Sequence, residues 1–337
     1  MSIAIGVVAV IVGLIALLLI GLAAFSVWTA RNVERVLPPH GRFIEVDGAR
    51  LHYFEEGSGP PLVLIHGLAG QTRVFTHSLL DRLKAEHRVI IIDRPGCGYS
   101  TRPRGASAAI SAQARTIARF IETLGVERPL VVGHSLGGAI ALSIALNHPE
   151  LVSGLALIAP LTHAVNEVPP LFRGLAIKSA FLRGLVGWTS AIPISIRNRK
   201  IVLETAFGPE PPVPDYGTRG GGLLNLRPHS FINASRDLMA ANGEELIAME
   251  THYQHLTVPV GVLFGTADQI LDAVRHGAAM ATKVAGLDLE LIEDAGHMIV
   301  ITAPDRSAKF IARMARRAAA ADAAKPASTA DLKSPPT

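Results

Sequence analysis

A single cysteine, Cys97, occurs among the 337 residues. No intrachain disulfide can form, so the fold does not depend on oxidation. Cys97 sits in a glycine-rich turn upstream of a better nucleophile, and is read as structural. Basic charge is not concentrated anywhere: the net charge is +4, with Lys and Arg spread along the chain, which leaves no footprint for nucleic acid. Internal repeats and sustained heptads are missing as well, which removes solenoids and long coiled coils. His252 and His255 stand in an H-x-x-H spacing without an obvious further ligand, so neither a metal nor any other cofactor is expected.

The most informative absence is of charge at the N-terminus, where residues 1–30 carry no Asp, Glu, Lys or Arg. Residues 3–27 are almost wholly aliphatic, and at about 1.5 Å rise per residue they exceed the roughly 30 Å of bilayer hydrocarbon. A signal peptide would have a shorter apolar stretch, a basic start and a small-residue cleavage site. The reading is a single-pass, uncleaved transmembrane anchor over 1–30, with Trp28 at an interface. Arg31, Arg35 and Arg42 follow the span and no basic residue precedes it, which predicts that the portion after the span lies on the cytoplasmic face. Residues 31–41, polar and Pro-containing, read as a connector. Residues 321–337, rich in Ala, Pro, Ser, Asp and Lys without apolar period, read as a disordered tail.

Between these ends the pattern alternates. Residues 43–55 read as two short strands joined at Asp47-Gly48. Continuous apolar runs at 62–65, 89–92, 130–132, 155–159, 260–264 and 287–292 read as buried strands, with helical spacing at 78–86, 111–124, 136–147, 272–284 and 304–320. Such alternation predicts an α/β fold, a mostly parallel sheet covered on both faces, built from 42–159 and 257–320. The alternation lapses over 160–256. A structureless loop of that length is uncommon in a compact domain, so this segment, with apolar helical spacing over 171–188, is expected to be an inserted helical lid.

Chemistry concentrates in Gly133-His134-Ser135-Leu136-Gly137-Gly138, directly after the 130–132 strand and before a helical pattern. A sharp strand-to-helix turn would hold Ser135 in strained geometry at the sheet's carboxyl end, and the helix N-terminus would direct the Leu136 N–H at a developing oxyanion. By itself G-x-S-x-G is equally compatible with a helix-packing turn. Asp268, just past the 260–264 strand, and His297, just past the 287–292 strand, shift the balance, because open α/β sheets place their sites in such loops. His134 neighbours the serine in sequence yet is expected to point away from it. Asp93 precedes Ser135 and opens a glycine-rich loop, so it is not taken as the acid partner.

With His66-Gly67-Leu68-Ala69-Gly70 and Asp93-Arg94-Pro95-Gly96-Cys97-Gly98-Tyr99-Ser100 in the same order, residues 42–315 outside the lid resemble the α/β-hydrolase superfamily, serine esterases and lipases in particular. The resemblance implies the α/β-hydrolase fold, Ser135 as nucleophile, His297 as base and Asp268 as its partner. It implies a second oxyanion donor at Leu68, a supporting role for His66 and Gly67, and a bracing role for the Asp93 loop. Serine at the elbow argues against the dehalogenases and epoxide hydrolases that resemble the chain elsewhere, which use aspartate. Ester hydrolysis without a cofactor is the expected reaction. Carbon–carbon bond hydrolases and cofactor-free haloperoxidase-like enzymes share the motifs, and a non-catalytic scaffold is the reading from another class. The expected substrate is a small-molecule or lipid-like ester, met at the membrane that holds the N-terminal helix.

Overall fold

The computed structural model describes residues 2–241 and 243–324. Eight strands, β1 (Arg42–Val46), β2 (Ala49–Glu56), β3 (Pro61–Ile65), β4 (Arg88–Ile92), β5 (Leu130–His134), β6 (Gly154–Ile158), β7 (Val260–Gly265) and β8 (Asp288–Ile292), form one sheet in the order β1-β2-β4-β3-β5-β6-β7-β8. The β1–β2 hairpin is antiparallel, β2 joins β4 antiparallel, and every later pairing is parallel. The hairpin turns at Asp47 and Gly48, both with positive φ. Such a two-residue turn matches the right-handed twist of its strands.

The central strands are apolar throughout because each face is covered. In β3, Val63 and Ile65 enter one core and Leu62 and Leu64 the other, and β4 divides Ile90 and Ile92 from Val89 and Ile91 in the same way. Successive side chains alternate across a pleated strand, so a continuous apolar run serves two layers. The helices are α1 (Ser2–Val36), α2 (Ile110–Thr123), α3 (Leu136–Asn147), α4 (Ala180–Trp188), α5 (Ala191–Phe207), α6 (Pro228–Ala240), α7 (Gly243–Glu250) and α8 (Pro304–Ala323). Helix α3 is buried from Leu136 through Ala145, which explains its lack of a polar face. Helices α2 and α3 close the first core, and α8, through Phe310, Ile311 and Met314, closes the second.

Several expected helices are broken. The segment 78–86 holds only a single turn, Leu80–Leu83, preceded by another at Arg73–Thr76. The 171–188 spacing divides into a 3₁₀ piece, Pro170–Leu175, and α4, whose N-cap Ser179 accepts from the Leu182 N–H. The helix expected over 272–284 narrows to a π-turn, Val274–Ala278, and one short turn, Ala279–Ala281. Between β6 and β7 the chain forms α4 to α7 and short 3₁₀ turns. Helix α8 reaches Ala323, into the stretch read as tail, while residues 325–337 lie outside the described residues.

The segment read as a connector is the larger correction. Helix α1 runs on through Val36, about 50 Å in all. Ser26, Thr29, Val33 and then Leu37 are buried along one stripe. Val33 and Leu37 pack with Leu224, the Ser26 hydroxyl donates to the Thr189 carbonyl at 3.3 Å, and Glu34 pairs with Arg227 at 3.5 Å. Contact with the segment between β6 and β7, rather than intrinsic propensity, keeps these turns helical, and Pro38-Pro39 prevents continuation. Residues 3–18 are exposed.

Candidate active site

Ser135 joins β5 to α3 with φ 55° and ψ −122°, a conformation costly for any residue with a Cβ. The surrounding glycines show why the turn has this composition. A Cβ on Gly133 would stand 2.6 Å from the Gly137 carbonyl oxygen, one on Gly138 2.5 Å from Pro160 Cβ, and one on Gly137 would collide with the Ile65 carbonyl. Ser135 is held further by its N–H to the Ile158 carbonyl at 3.1 Å. Its strain is therefore sustained by β3 and β6 on either side.

Asp268 and His297 follow β7 and β8, adjacent strands at one edge of the sheet. His297 Nδ1 donates to Asp268 Oδ2 at 2.7 Å, and Asp268 Oδ1 accepts the Ile270 and Leu271 N–H groups at 2.8 and 3.0 Å. Burial alone would raise the Asp268 carboxyl. The His297 imidazole and these bonds outweigh it and hold the group below the usual carboxylate range. A proton fixed on Nδ1 leaves Nε2 as an acceptor. No hydrogen bond joins Ser135 Oγ to the His297 ring among the described residues, and such contacts commonly tighten only when substrate binds.

The His66–Gly67 turn lies against the serine. A Cβ on Gly67 would be 2.8 Å from Ser135 Cβ and 3.3 Å from its Oγ. Leu68 N–H and Leu136 N–H, the latter at the first position of α3, have no acceptor among the described residues. His66 Nδ1 donates to the Gly67 carbonyl at 2.8 Å while Nε2 accepts the Arg94 N–H at 3.0 Å. Burial, reinforced by the Arg94 charge, lowers its pKa to about 3, consistent with a neutral ring that organises the loop. The buried His134 ring donates from Nε2 to the His297 carbonyl at 3.1 Å, bracing that loop instead of meeting Ser135.

Asp93 lies outside the Asp268–His297 arrangement. Its carboxylate accepts from the Thr72 N–H at 2.6 Å, the Tyr99 N–H at 2.8 Å and His52 Nδ1 at 2.7 Å. Burial opposes ionisation there, and His52, His66 and the Tyr99 N–H together outweigh it, so its pKa is lowered too. Cys97 is buried 3.6 Å from Asp237, and burial pushes the thiol up to about 12, far from thiolate chemistry.

Two elements of the site are silent in the sequence. Glu210 reaches the His297 loop, accepting the Gly296 N–H at 2.8 Å and the Thr302 hydroxyl at 2.9 Å. Asp237 of α6 accepts from Arg94 at 2.7 Å and Arg102 at 2.5 Å, with Arg94 and Asp237 both fully buried. Neither residue carries a local mark beyond its acidic side chain.

The α/β hydrolase fold model matches residues 60–192. The chain is 31% identical over 266 residues to the dihydrolipoyllysine-residue acetyltransferase component of the acetoin cleaving system of Cupriavidus necator, covering 76% of this chain and 64% of that one. An uncharacterized protein of Mycobacterium tuberculosis is 30% identical, covering 84% and 83%. The monoacylglycerol lipase ABHD6 of Homo sapiens is 24% identical over 86% of this chain and 88% of its own length. Among solved structures, a membrane phospholipase A described as a bacterial virulence factor superposes with TM-score 0.64 at 24% identity, over 95% of this chain and 99% of that one. A meta-cleavage product hydrolase from Pseudomonas fluorescens superposes with TM-score 0.68 at 20% identity, over 82% and 98%. With the sheet order, the strained serine turn and these relatives together, the chain belongs to the α/β-hydrolase superfamily.

Proposed function

We propose that the chain is a membrane-anchored serine hydrolase that cleaves carboxylic esters. The observation that carries this reading is the strained Ser135 with the Leu136 N–H after it and the Gly67 turn against it, the Leu68 and Leu136 N–H groups having no acceptor among the described residues, and the His297–Asp268 dyad in neighbouring loops. His297 Nε2 takes the Ser135 proton as Oγ attacks the carbonyl carbon, Asp268 holds the tautomer and stabilises the imidazolium, and the alcohol leaves with the proton. Water then repeats the sequence on the acyl-enzyme. Each well-placed oxyanion donor contributes roughly 3 kcal/mol to the transition state.

A lipid-like ester is the substrate class this surface suits. Phe181, Leu182, Leu185 and Trp188 of α4 and Ile194 and Ile201 of α5 are exposed, and α1 packs on both helices. The exposed Arg173, Lys178, Arg197 and Lys200 lie in the same stretch and suit anionic headgroups. Arg183 does not belong with them, since its guanidinium donates to Ser235 Oγ and the Ile177 carbonyl. A monoacylglycerol lipase and a membrane phospholipase A among the similar proteins fit this reading. Positive charge following the span supports a cytoplasmic catalytic domain.

The test is a fluorophosphonate probe and an ester panel applied to the wild type and Ser135→Ala. Labelling at Ser135, turnover lost in the variant and faster turnover of long-chain glycerol esters in vesicles are expected. Preference for ring-cleavage diketones would assign carbon–carbon hydrolysis instead, and a Phe181→Ser, Trp188→Ser variant with unchanged vesicle activity would remove the lipid-facing lid.

A further inference from the structure

Gly67 is held to two conflicting demands. It must lack a Cβ to admit Ser135, and a glycine leaves the adjoining peptide unit unusually free to rotate. The Gly67–Leu68 peptide carries the N–H proposed as an oxyanion donor, so its orientation decides whether that donor exists. In a trans peptide the C=O and N–H point in opposite directions, and fixing one aims the other.

The Gly67 carbonyl is fixed by three donors: Arg94 Nη2 at 2.9 Å, His66 Nδ1 at 2.8 Å and the Gly70 N–H at 3.1 Å. Arg94 also donates from Nε to the His66 carbonyl at 3.0 Å, so its fork grips two successive carbonyls of the turn. Its Nη1 donates to Gln113 at 2.6 Å and to Asp237 of the inserted segment at 2.7 Å. A planar guanidinium can span such a set, whereas an ammonium cannot.

We infer that Arg94 is a positioning residue that aims the Leu68 N–H at the reaction centre, and that Asp237 holds it there from α6. Rotation of the peptide would break charge-assisted bonds made by the fully buried Arg94, in surroundings where they are strongest. A helix of the segment between β6 and β7 thus also sets the oxyanion donor. This inference rests on the reading of Ser135 as nucleophile.

The experiment uses the full chain in detergent micelles, with p-nitrophenyl butyrate as substrate and an alkyl boronic acid as a probe whose tetrahedral adduct places an oxygen in the oxyanion position. For Arg94→Gln, kcat should fall roughly 10- to 100-fold and boronate binding should weaken by a similar factor, while KM stays within about threefold. Asp237→Asn, which leaves the other contacts of Arg94 in place, should move kcat and boronate binding in the same direction by a smaller factor. If Arg94→Gln fails to fold, Asp237→Asn carries the same readouts. Variants that lose thermal stability but keep kcat and boronate binding within about twofold would overturn the inference. Failure of the nucleophile reading is distinguishable, because the wild type would then not be labelled at Ser135 by a fluorophosphonate.

Discussion

Gly67 and Ser135 touch so closely that a single methyl group cannot be placed between them: a Cβ at position 67 would lie 2.8 Å from the serine Cβ. Gly67→Ala should therefore displace either the serine or the turn that bears Leu68. A fall in kcat of about 100-fold is expected, with circular dichroism unchanged. Wild-type turnover in Gly67→Ala would show that this turn does not participate.

Two buried carboxylates each accept from a histidine Nδ1 at 2.7 Å, Asp268 from His297 and Asp93 from His52. Their substitution should separate chemistry from stability. Asp268→Asn should lower kcat by about 10⁴ through the wrong imidazole tautomer. Asp93→Asn should instead destabilise the fold by about 3 kcal/mol, as expected for breaking a buried pair, with kcat of the folded protein much less affected. Stopped kinetics paired with denaturant unfolding reads both, and a reversed pattern would transfer the acid role to Asp93.

Because Ser26, Thr29, Val33 and Leu37 pack against the rest of the molecule, truncations of α1 should not be equivalent. Deleting residues 2–20 should leave the melting temperature and short-chain esterase activity unchanged. Deleting residues 2–36 removes Val33 and Glu34 from Leu224 and Arg227, and should destabilise by about 2 kcal/mol or more. Equal melting temperatures for the two truncations would show that the α1 stripe adds nothing to stability.

Acid should destabilise the chain from just below neutrality. Burial lowers His66 and His134 to about 3, and His229 and His276 to about 4, from an ordinary value of 6.5. Between those limits the unfolded chain binds protons that the folded chain does not, so stability falls as pH drops, by up to about 1.4 kcal/mol per pH unit for each group. Asp268 and Asp93, lowered in the fold, act in the same direction below about pH 4, where the unfolded carboxyls protonate first. Denaturant midpoints from pH 7 to pH 5 should decline, and His134→Gln should flatten the decline; an unchanged slope in that variant would show that His134 is not buried as a neutral ring.

The strands and the serine turn were legible because both leave local marks. Two-sided burial writes continuous apolar runs such as 62–65, and steric crowding writes glycines at 133, 137 and 138. What stayed hidden depends on distant partners. The last turns of α1 are helical because Leu224 and Arg227 receive them, and the charges and prolines of 31–41 mask the apolar pair Val33 and Leu37 that makes the contact. Asp237 meets Arg94 across 143 positions in sequence, and nothing near either residue announces the other. The breaks at 176–179 and within 272–284 were invisible to apolar spacing, which continues through them.

The burial of Cys97 makes the native chain a ready background for spectroscopy. Its thiol is buried beside Asp237, with its pKa at about 12, so maleimides and nitroxide reagents meet no reactive cysteine in the folded molecule. A cysteine introduced at Trp188 or Phe181 would carry the label alone, and its fluorescence quenching by bilayer-depth probes would test whether α4 meets lipid, without any prior cysteine removal.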